Sequence, residues 1–214
     1  MKKVFVAILV LATVFTSCKE DKKDKVEVKE EVKVASKTVE TANNVDVLTS
    51  VLHWKGTKPG GEHFGVVSLK SGVLEIKDEQ LKSGKFVIDM TSIIDKDMPA
   101  DNEYNAKLVG HLKSKDFFDV ATYPTAKFVI TSIENKDDKL AVTGNLTIKD
   151  ITKSITIPAT IAVNEDEIIF KSETFKVDRA DFGIKYKSKK FFDNLKDKFI
   201  DDLMEISFEV KAKK

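Results

Sequence analysis

The sequence predicts an all-β domain, built as a sandwich or a closed barrel, with one short inserted helix. Three observations support this prediction. From about residue 45, apolar and polar residues alternate in short stretches, turn-forming residues separate the stretches, and one segment has helical spacing. Alternation with a period of two places one set of side chains on one face of a strand. Short strands of this kind at regular intervals are typical of sandwiches and barrels.

Five alternating runs are the clearest strand candidates. They are Phe86 to Met90, Ala126 to Ser132, Leu140 to Ile148, Ile155 to Val163, and Met204 to Val210. Glycine, proline, asparagine and aspartate mark the turns between strands. The predicted turns are Lys58 to Gly61, Ser83-Gly84, Asn135 to Asp138, and Asn164 to Asp166.

The segment from Asn102 to Lys113 breaks the alternating pattern. Its residues Tyr104, Leu108 and Leu112 are spaced four apart. This spacing places them on one face of an α-helix. The sequence therefore predicts one short helix between the strands.

The N-terminus has the pattern of an export signal. Two lysines precede an uncharged apolar run from Val4 to Phe15, which is shorter than the roughly 20 residues that span a bilayer. Val14-Phe15-Thr16-Ser17-Cys18 resembles the lipobox of bacterial lipoproteins, in which the cysteine is acylated. We predict a signal peptide over residues 1–17 and a lipid on Cys18 that anchors the chain to the outer membrane, on its periplasmic face or at the cell surface. The alternative is an ordinary secretory signal.

A highly charged segment follows the signal. Residues 18–44 contain many lysines and acids but no aromatic residue and no glycine, so they predict a flexible linker. Four valines at positions 26, 28, 32 and 34 alternate with charges, and a weak strand is the alternative there. The globular domain is predicted over residues 45–214.

Composition excludes several classes of function. The formal net charge is +1 and Arg179 is the only arginine, which argues against nucleic-acid binding. Cys18 is the only cysteine, so the mature domain has no thiol nucleophile. The three histidines have no metal-binding spacing, and no Gly-x-Ser-x-Gly or phosphate-loop motif occurs. The sequence therefore predicts a protein that is not an enzyme, with no metal and no cofactor.

Phenylalanine is the most informative residue type in this chain. There are 14 phenylalanines, against three tyrosines and one tryptophan. Such residues pack the core of any barrel. A small barrel fills its interior with side chains or holds one apolar ligand, and alternation does not separate the two.

Three stretches, taken together, resemble the YceI-like family of exported lipid-binding proteins. The first, from His111 to Phe128, reads HLKSKDFFDVATYPTAKF; the second, from Val142 to Pro158, contains VTGNLTI and ITIP; the third, from Phe175 to Ile184, reads FKVDRADFGI. Their order and spacing agree with the family over about residues 45 to 212. The segment from Leu52 to Gly65 is similar to a Bacteroidetes branch of it.

The resemblance implies an extended, antiparallel, lipocalin-like barrel of about eight strands, with a helix near one opening. It also implies that the bound molecule is a polyisoprenoid or an isoprenoid quinone. We interpret Arg179, Asp181 and Gly183 as fold-maintaining residues, with Arg179 paired to Asp178 or Asp181. The predicted lipid-binding side chains are Phe86, Ile88, Phe117, Phe118, Tyr123, Phe128, Ile130 and Phe182.

The leading hypothesis is a membrane-tethered protein that sequesters or carries an isoprenoid lipid, with a homodimer as one possible assembly. The first alternative is a ligand-free envelope protein that acts in protein interactions or in a stress response. The second is a hydrolase or isomerase acting on an apolar substrate. It would require His63 or His111 to face the cavity beside a carboxylate.

Overall fold

A computed structural model describes residues 24–33 and 42–214 of the chain. The predicted signal peptide and the predicted acylation site, Cys18, lie outside these residues. The described part contains thirteen strands, one α-helix and three 3₁₀ turns. The helix α1 is Glu103–Lys113, and the 3₁₀ turns are Met90–Ser92, Arg179–Phe182 and Lys196–Lys198. The strands are β1 Val28–Glu30, β2 Asn43–Asn44, β3 Val51–Lys58, β4 Gly61–Val67, β5 Leu69–Lys77, β6 Gln80–Asp89, β7 Ile94–Asp95, β8 Thr125–Lys136, β9 Lys139–Ile148, β10 Ile151–Val163, β11 Glu167–Ser172, β12 Phe175–Asp178 and β13 Leu203–Lys213.

The long strands form one curled antiparallel sheet. Their order is β5-β6-β8-β9-β10-β11-β13-β3-β4, and the sheet returns on itself because only Ser68 separates β4 from β5. The Ser68 carbonyl accepts a hydrogen bond from Asp89, and its N–H donates to Ser92 Oγ. With β4 and β5 taken as one bent strand, the barrel has eight strands. This confirms the all-β antiparallel fold that the sequence predicted.

Helix α1 begins where the spacing predicted. The Asn102 side chain accepts a hydrogen bond from the Tyr104 N–H and caps the first turn. Tyr104 is exposed, whereas Leu108 and Leu112 face the barrel interior. The helix therefore covers one end of the barrel.

One of the predicted turns is wrong. Ser83 and Gly84 lie inside β6, and the turn between β5 and β6 is formed by Asp78 and Glu79, which both have positive φ. A Cβ on Gly84 would lie 3.0 Å from Ile130 Cδ1, so this glycine serves close packing rather than a turn. The predicted turn at Gly60 is present, with φ of 82°.

The flexible linker predicted over residues 18–44 is wrong for the part around β1. Val26 is buried, and β1 pairs with β10, with Val28 opposite Ile155. This edge of β10 is free because β11 pairs only with residues 159–163. The Asn145 side chain also bonds both the N–H and the carbonyl of Val32. The alternating valines thus indicated a real strand.

Candidate functional site

The barrel is filled at one end and hollow at the other. At the filled end, buried side chains close the interior: Leu74, Leu81, Ile130, Val142, Ala159, Ile168 and Phe170. Phe170 marks the boundary between the filled end and the hollow end. Its ring centroid lies 6.0 Å from that of Phe86 and 5.0 Å from that of Phe208, and Phe86 and Phe208 both line the cavity. The sequence left open whether the interior is filled by side chains or is open to a ligand; the barrel is filled at one end and has a cavity at the other.

The hollow end contains a cavity of about 450 Å³. Its walls are mostly aliphatic and aromatic side chains of the barrel strands, such as Leu52, Ile88, Phe128, Leu146 and Ile155. Helix α1 and residues 186–201 surround the open end, which we call the mouth. The volume lies within the range of about 300–1,000 Å³ for small-molecule sites.

Five of the eight predicted lipid-binding side chains line this cavity: Phe86, Ile88, Phe117, Phe118 and Phe128. The other three do not. Ile130 packs at the filled end, next to Gly84. Phe182 is fully buried in a 3₁₀ turn away from the lining, and Tyr123 lies half-buried in the turn before β8. Alternation gave the face of a strand correctly, but it did not show how far along the barrel the cavity extends.

An aromatic cluster forms one side of the mouth. The His111 ring meets Phe117 and Tyr186 edge-on, at 5.0 Å and 4.7 Å between centroids. His111 Nε2 lies 3.0 Å from Asp116 Oδ2. Sequence reasoning missed Tyr186, because it lies in an irregular segment without periodicity. The resemblance pointed only to its neighbours.

Arg179 lies beneath this cluster and is almost completely buried. Its guanidinium donates to the carbonyls of Asp201, Ile184 and Ile200 and pairs with Asp202 at 3.1 Å. Burial lowers the pKa of Arg179, and the charge of Asp202 opposes that shift. The predicted pairing with Asp178 or Asp181 is wrong, since the side chain turns inward toward these carbonyls. The fold-maintaining interpretation agrees with the contacts.

A lysine-rich loop continues from this aromatic cluster along the mouth, since Tyr186 belongs to both. Residues 185–199 contain six lysines and two aspartates. Phe191 and Phe192 are 44% and 50% exposed there, while Tyr186, Lys198 and Phe199 of the same loop line the cavity. A positive, partly aromatic surface therefore surrounds the opening.

A His–Asp–Asp group lies near β4, and one of its members, His63, lines the cavity. One ligand atom each from His63, Asp95 and Asp97 lies within 4.8 Å of the others, and His63 Nδ1 is 3.0 Å from Asp97 Oδ2. Burial, followed by the hydrogen bond with Asp97, raises the pKa of Asp95. Burial alone would also raise the pKa of Asp97, but hydrogen bonds with Asp95, His63 and the Phe64 N–H outweigh it and lower that pKa. The sequence showed no sign of this group, because His63 is more than 30 residues from Asp95 and Asp97.

The described residues include no helix that is long and apolar enough to cross a membrane.

The fold and the cavity together define a class: antiparallel barrels with an apolar pocket at one end. Comparison with known proteins gives the family. A sequence model of the YceI-like domain matches residues 32–212. The chain therefore belongs to the YceI-like family, as the motifs predicted.

Individual relatives agree with this assignment. A UPF0312 protein of Pseudomonas syringae is 55% identical over 51 residues, which are 23% of this chain and 27% of that protein. The match thus spans about a quarter of that relative's length. The crystal structure of BcnA from Burkholderia cenocepacia has a TM-score of 0.61 at 23% identity, covering 78% of this chain and 99% of that one. A polyisoprenoid binding domain from Saccharophagus degradans has a TM-score of 0.57 at 13% identity, covering 79% and 97%. At these identities the structural matches show the fold.

Proposed function

We propose that this chain is a lipid-binding protein of the cell envelope that sequesters or carries an isoprenoid lipid or isoprenoid quinone in the hollow end of its barrel. The observation that carries the proposal is the apolar cavity of about 450 Å³ with an open mouth. A polyisoprenoid chain offers apolar area, at about 25 cal/mol per Å² buried, and few polar groups. A wall of Phe, Ile and Leu suits such a chain. The related fold of a polyisoprenoid binding domain is a second support.

The proposal includes a membrane anchor through acylated Cys18. Two or three acyl chains give an anchor that does not readily dissociate, because each buried methylene contributes about 0.8 kcal/mol. A tethered barrel would remain beside the membrane that supplies or receives its water-insoluble ligand. Radiolabelled palmitate incorporated by the full chain and absent from Cys18→Ser tests this step. Equal labelling of the two chains would contradict it.

The ligand is tested by mass spectrometry. The full chain is purified from its native host, extracted with solvent and analysed for lipid. We expect one isoprenoid species near one equivalent of protein. Several independent preparations without stoichiometric lipid would contradict the proposal and favour the ligand-free alternative.

The enzyme alternative has one observation in its favour. His63 and His111 both line the cavity, and each lies 3.0 Å from a carboxylate oxygen. Within the described residues, neither ring bonds a serine or threonine hydroxyl that would serve as nucleophile. We therefore propose binding without catalysis. Turnover of an apolar ester that is lost in the His63→Gln, His111→Gln double variant would contradict this.

A further inference from the structure

The His–Asp–Asp group has a geometry that ligand binding would explain. His63 belongs to β4, and Asp95 ends β7, which pairs with β4 so that Gly65 lies opposite Asp95. The two strands approach closely here, because a Cβ on Gly65 would lie 2.0 Å from the Ile94 carbonyl oxygen. The glycine therefore lets β7 bring its carboxylate next to the imidazole.

Neighbouring groups fix both carboxylates. Asp95 Oδ2 accepts from the Met98 N–H and from Asn105 Nδ2, each at 3.1 Å. Asp97 Oδ1 accepts from the Phe64 N–H at 3.2 Å. Outer hydrogen bonds of this kind hold metal-binding carboxylates in position.

One oxygen of the group lacks a partner. Asp95 is 5% exposed, and its Oδ1 is buried without a hydrogen-bond partner in the described chain. A buried acceptor left unpaired is destabilising, and more so when it is charged. A carboxylate oxygen of Asp97 lies within 4.8 Å of a carboxylate oxygen of Asp95. A cation between the two carboxylates would pair the free oxygen in place of the proton that they otherwise share.

We propose that His63, Asp95 and Asp97 form a binding site for a divalent transition-metal cation beside the cavity. One imidazole nitrogen and two carboxylate oxygens are ligands that suit Zn²⁺ and Mn²⁺. His63 is 28% exposed and Asp97 17%, so an ion has access from solvent. Three protein ligands leave a coordination position for water or for a polar group of a bound molecule.

The chain contains a matched control. His111 and Asp116 also form a pair at 3.0 Å, but their side chains are 37% and 55% exposed. Within the described residues, no third histidine, cysteine or carboxylate completes a group of three with this pair, whereas His63, Asp95 and Asp97 form such a group. Metal binding that depends on His63 but not on His111 would therefore come from the three-residue site and not from the affinity of any exposed histidine for metal ions.

The test is calorimetric titration of the full chain, without a histidine tag, with Zn²⁺ and then Mn²⁺. We expect one saturable site for the wild type, at least tenfold weaker binding for each of His63→Gln and Asp97→Asn, and unchanged binding for His111→Gln. The melting temperature should rise with Zn²⁺ in the wild type and in His111→Gln, because a ligand that binds the folded state stabilises it.

Two results would overturn the proposal. The first is the absence of saturable binding by the wild type. In that case a proton shared between Asp95 and Asp97, and not a metal ion, would hold the two carboxylates together. The second is equal binding by the wild type, His63→Gln and Asp97→Asn. Circular dichroism of each variant checks that it is folded, and both substituted side chains are partly exposed, so folding should persist.

Discussion

Arg179 holds the segment around residues 200–202 in place. Three carbonyls accept from a single buried guanidinium, which also forms an ion pair with Asp202. The guanidinium carbon lies 5.9 Å from the Phe117 ring centre at the cavity wall. Arginine's planar fork makes these bonds in several directions at once, which an ammonium does not. The residue thus links the fold to the shape of the mouth.

Replacing Arg179 tests this link. Arg179→Gln leaves the Asp202 charge and several carbonyls without their donor, and we expect a loss of about 3–5 kcal/mol in the free energy of unfolding. Arg179→Lys should recover only part of it. Urea denaturation measures both, and Lys185→Gln, on the exposed loop, is the control. A loss below about 1 kcal/mol for both Arg179 variants would contradict the role.

Asp178 makes stability depend on pH. Burial would raise the pKa of this carboxyl, but hydrogen bonds from Lys190, Lys25 and the Ala180 N–H outweigh it and lower that pKa. A lowered pKa in the folded state contributes stability above the ordinary value of 3.8, and the contribution is lost as pH falls through the folded value.

Asp178→Asn should therefore destabilise the protein by about 1–3 kcal/mol at pH 7. The difference from wild type should shrink progressively below about pH 4, where the Asp178 carboxyl protonates first in the unfolded state and then, at lower pH, in the folded state. Urea denaturation from pH 8 to pH 3 measures it, with Asp193→Asn on the exposed loop as the control. A stability difference between wild type and Asp178→Asn that grows toward acid pH would contradict a lowered pKa for Asp178 in the folded state.

At the scale of elements, β1 determines where the chain enters the barrel. Lys25 bridges to Lys176 and bonds Asp178, beside β12, whose residues Phe175 and Val177 line the cavity. Five residues lie between Cys18 and Asp24, so six steps along the chain join the two. An extended chain spans at most about 3.6 Å per residue. A lipid on Cys18 would therefore keep Asp24 within about 20 Å of the membrane while β1 is docked.

Disrupting β1 should release this segment. Val26→Asp places a charge where the wild type buries an apolar side chain, and we expect the protection of the Val26, Glu30 and Val32 amides against hydrogen exchange to be lost. The central strands should keep theirs. Glu27→Lys, at an exposed position next to it, is the control. Unchanged protection in Val26→Asp would contradict the docked strand.

The lysine-rich loop of residues 185–199 is the element best placed to meet a membrane. Its two exposed phenylalanines can enter the interface, and each lysine near an anionic surface contributes about 1 kcal/mol. We expect Phe191→Ser with Phe192→Ser to slow isoprenoid uptake from anionic vesicles several-fold without reducing thermal stability. Leu48→Ser, also highly exposed, is the control. Equal uptake rates would show that loading does not use this loop.

Most strands were predictable because each has one buried face, and period-two alternation records that face directly. The family was predictable from the motifs around His111, Gly144 and Arg179, and α1 from the four-residue spacing of Tyr104, Leu108 and Leu112. The bent β4–β5 strand and the group of His63 with Asp95 were not. They depend on contacts between distant segments, which a local pattern does not contain. The filled end was not predictable either. Phe128 and Ile130 lie on the same face of β8 and continue the same alternation, yet only Phe128 lines the cavity.

At the scale of the whole molecule, the division into a filled and a hollow end separates stability from binding. Leu140 and Leu146 lie on the same face of β9 and are both half-buried. Leu146 lines the cavity, whereas Leu140 packs against the core outside it. The same substitution at the two positions should therefore have opposite effects.

Leu146→Trp should occupy the cavity, so we expect a several-fold loss of co-purified lipid with little change in the free energy of unfolding. Leu140→Trp should overpack the filled end, with a loss of about 1–3 kcal/mol and normal lipid content. Lipid mass spectrometry and urea denaturation of the two variants measure both effects. Loss of lipid in both variants, or in neither, would show that the cavity is not the lipid site, because only one substitution enters it.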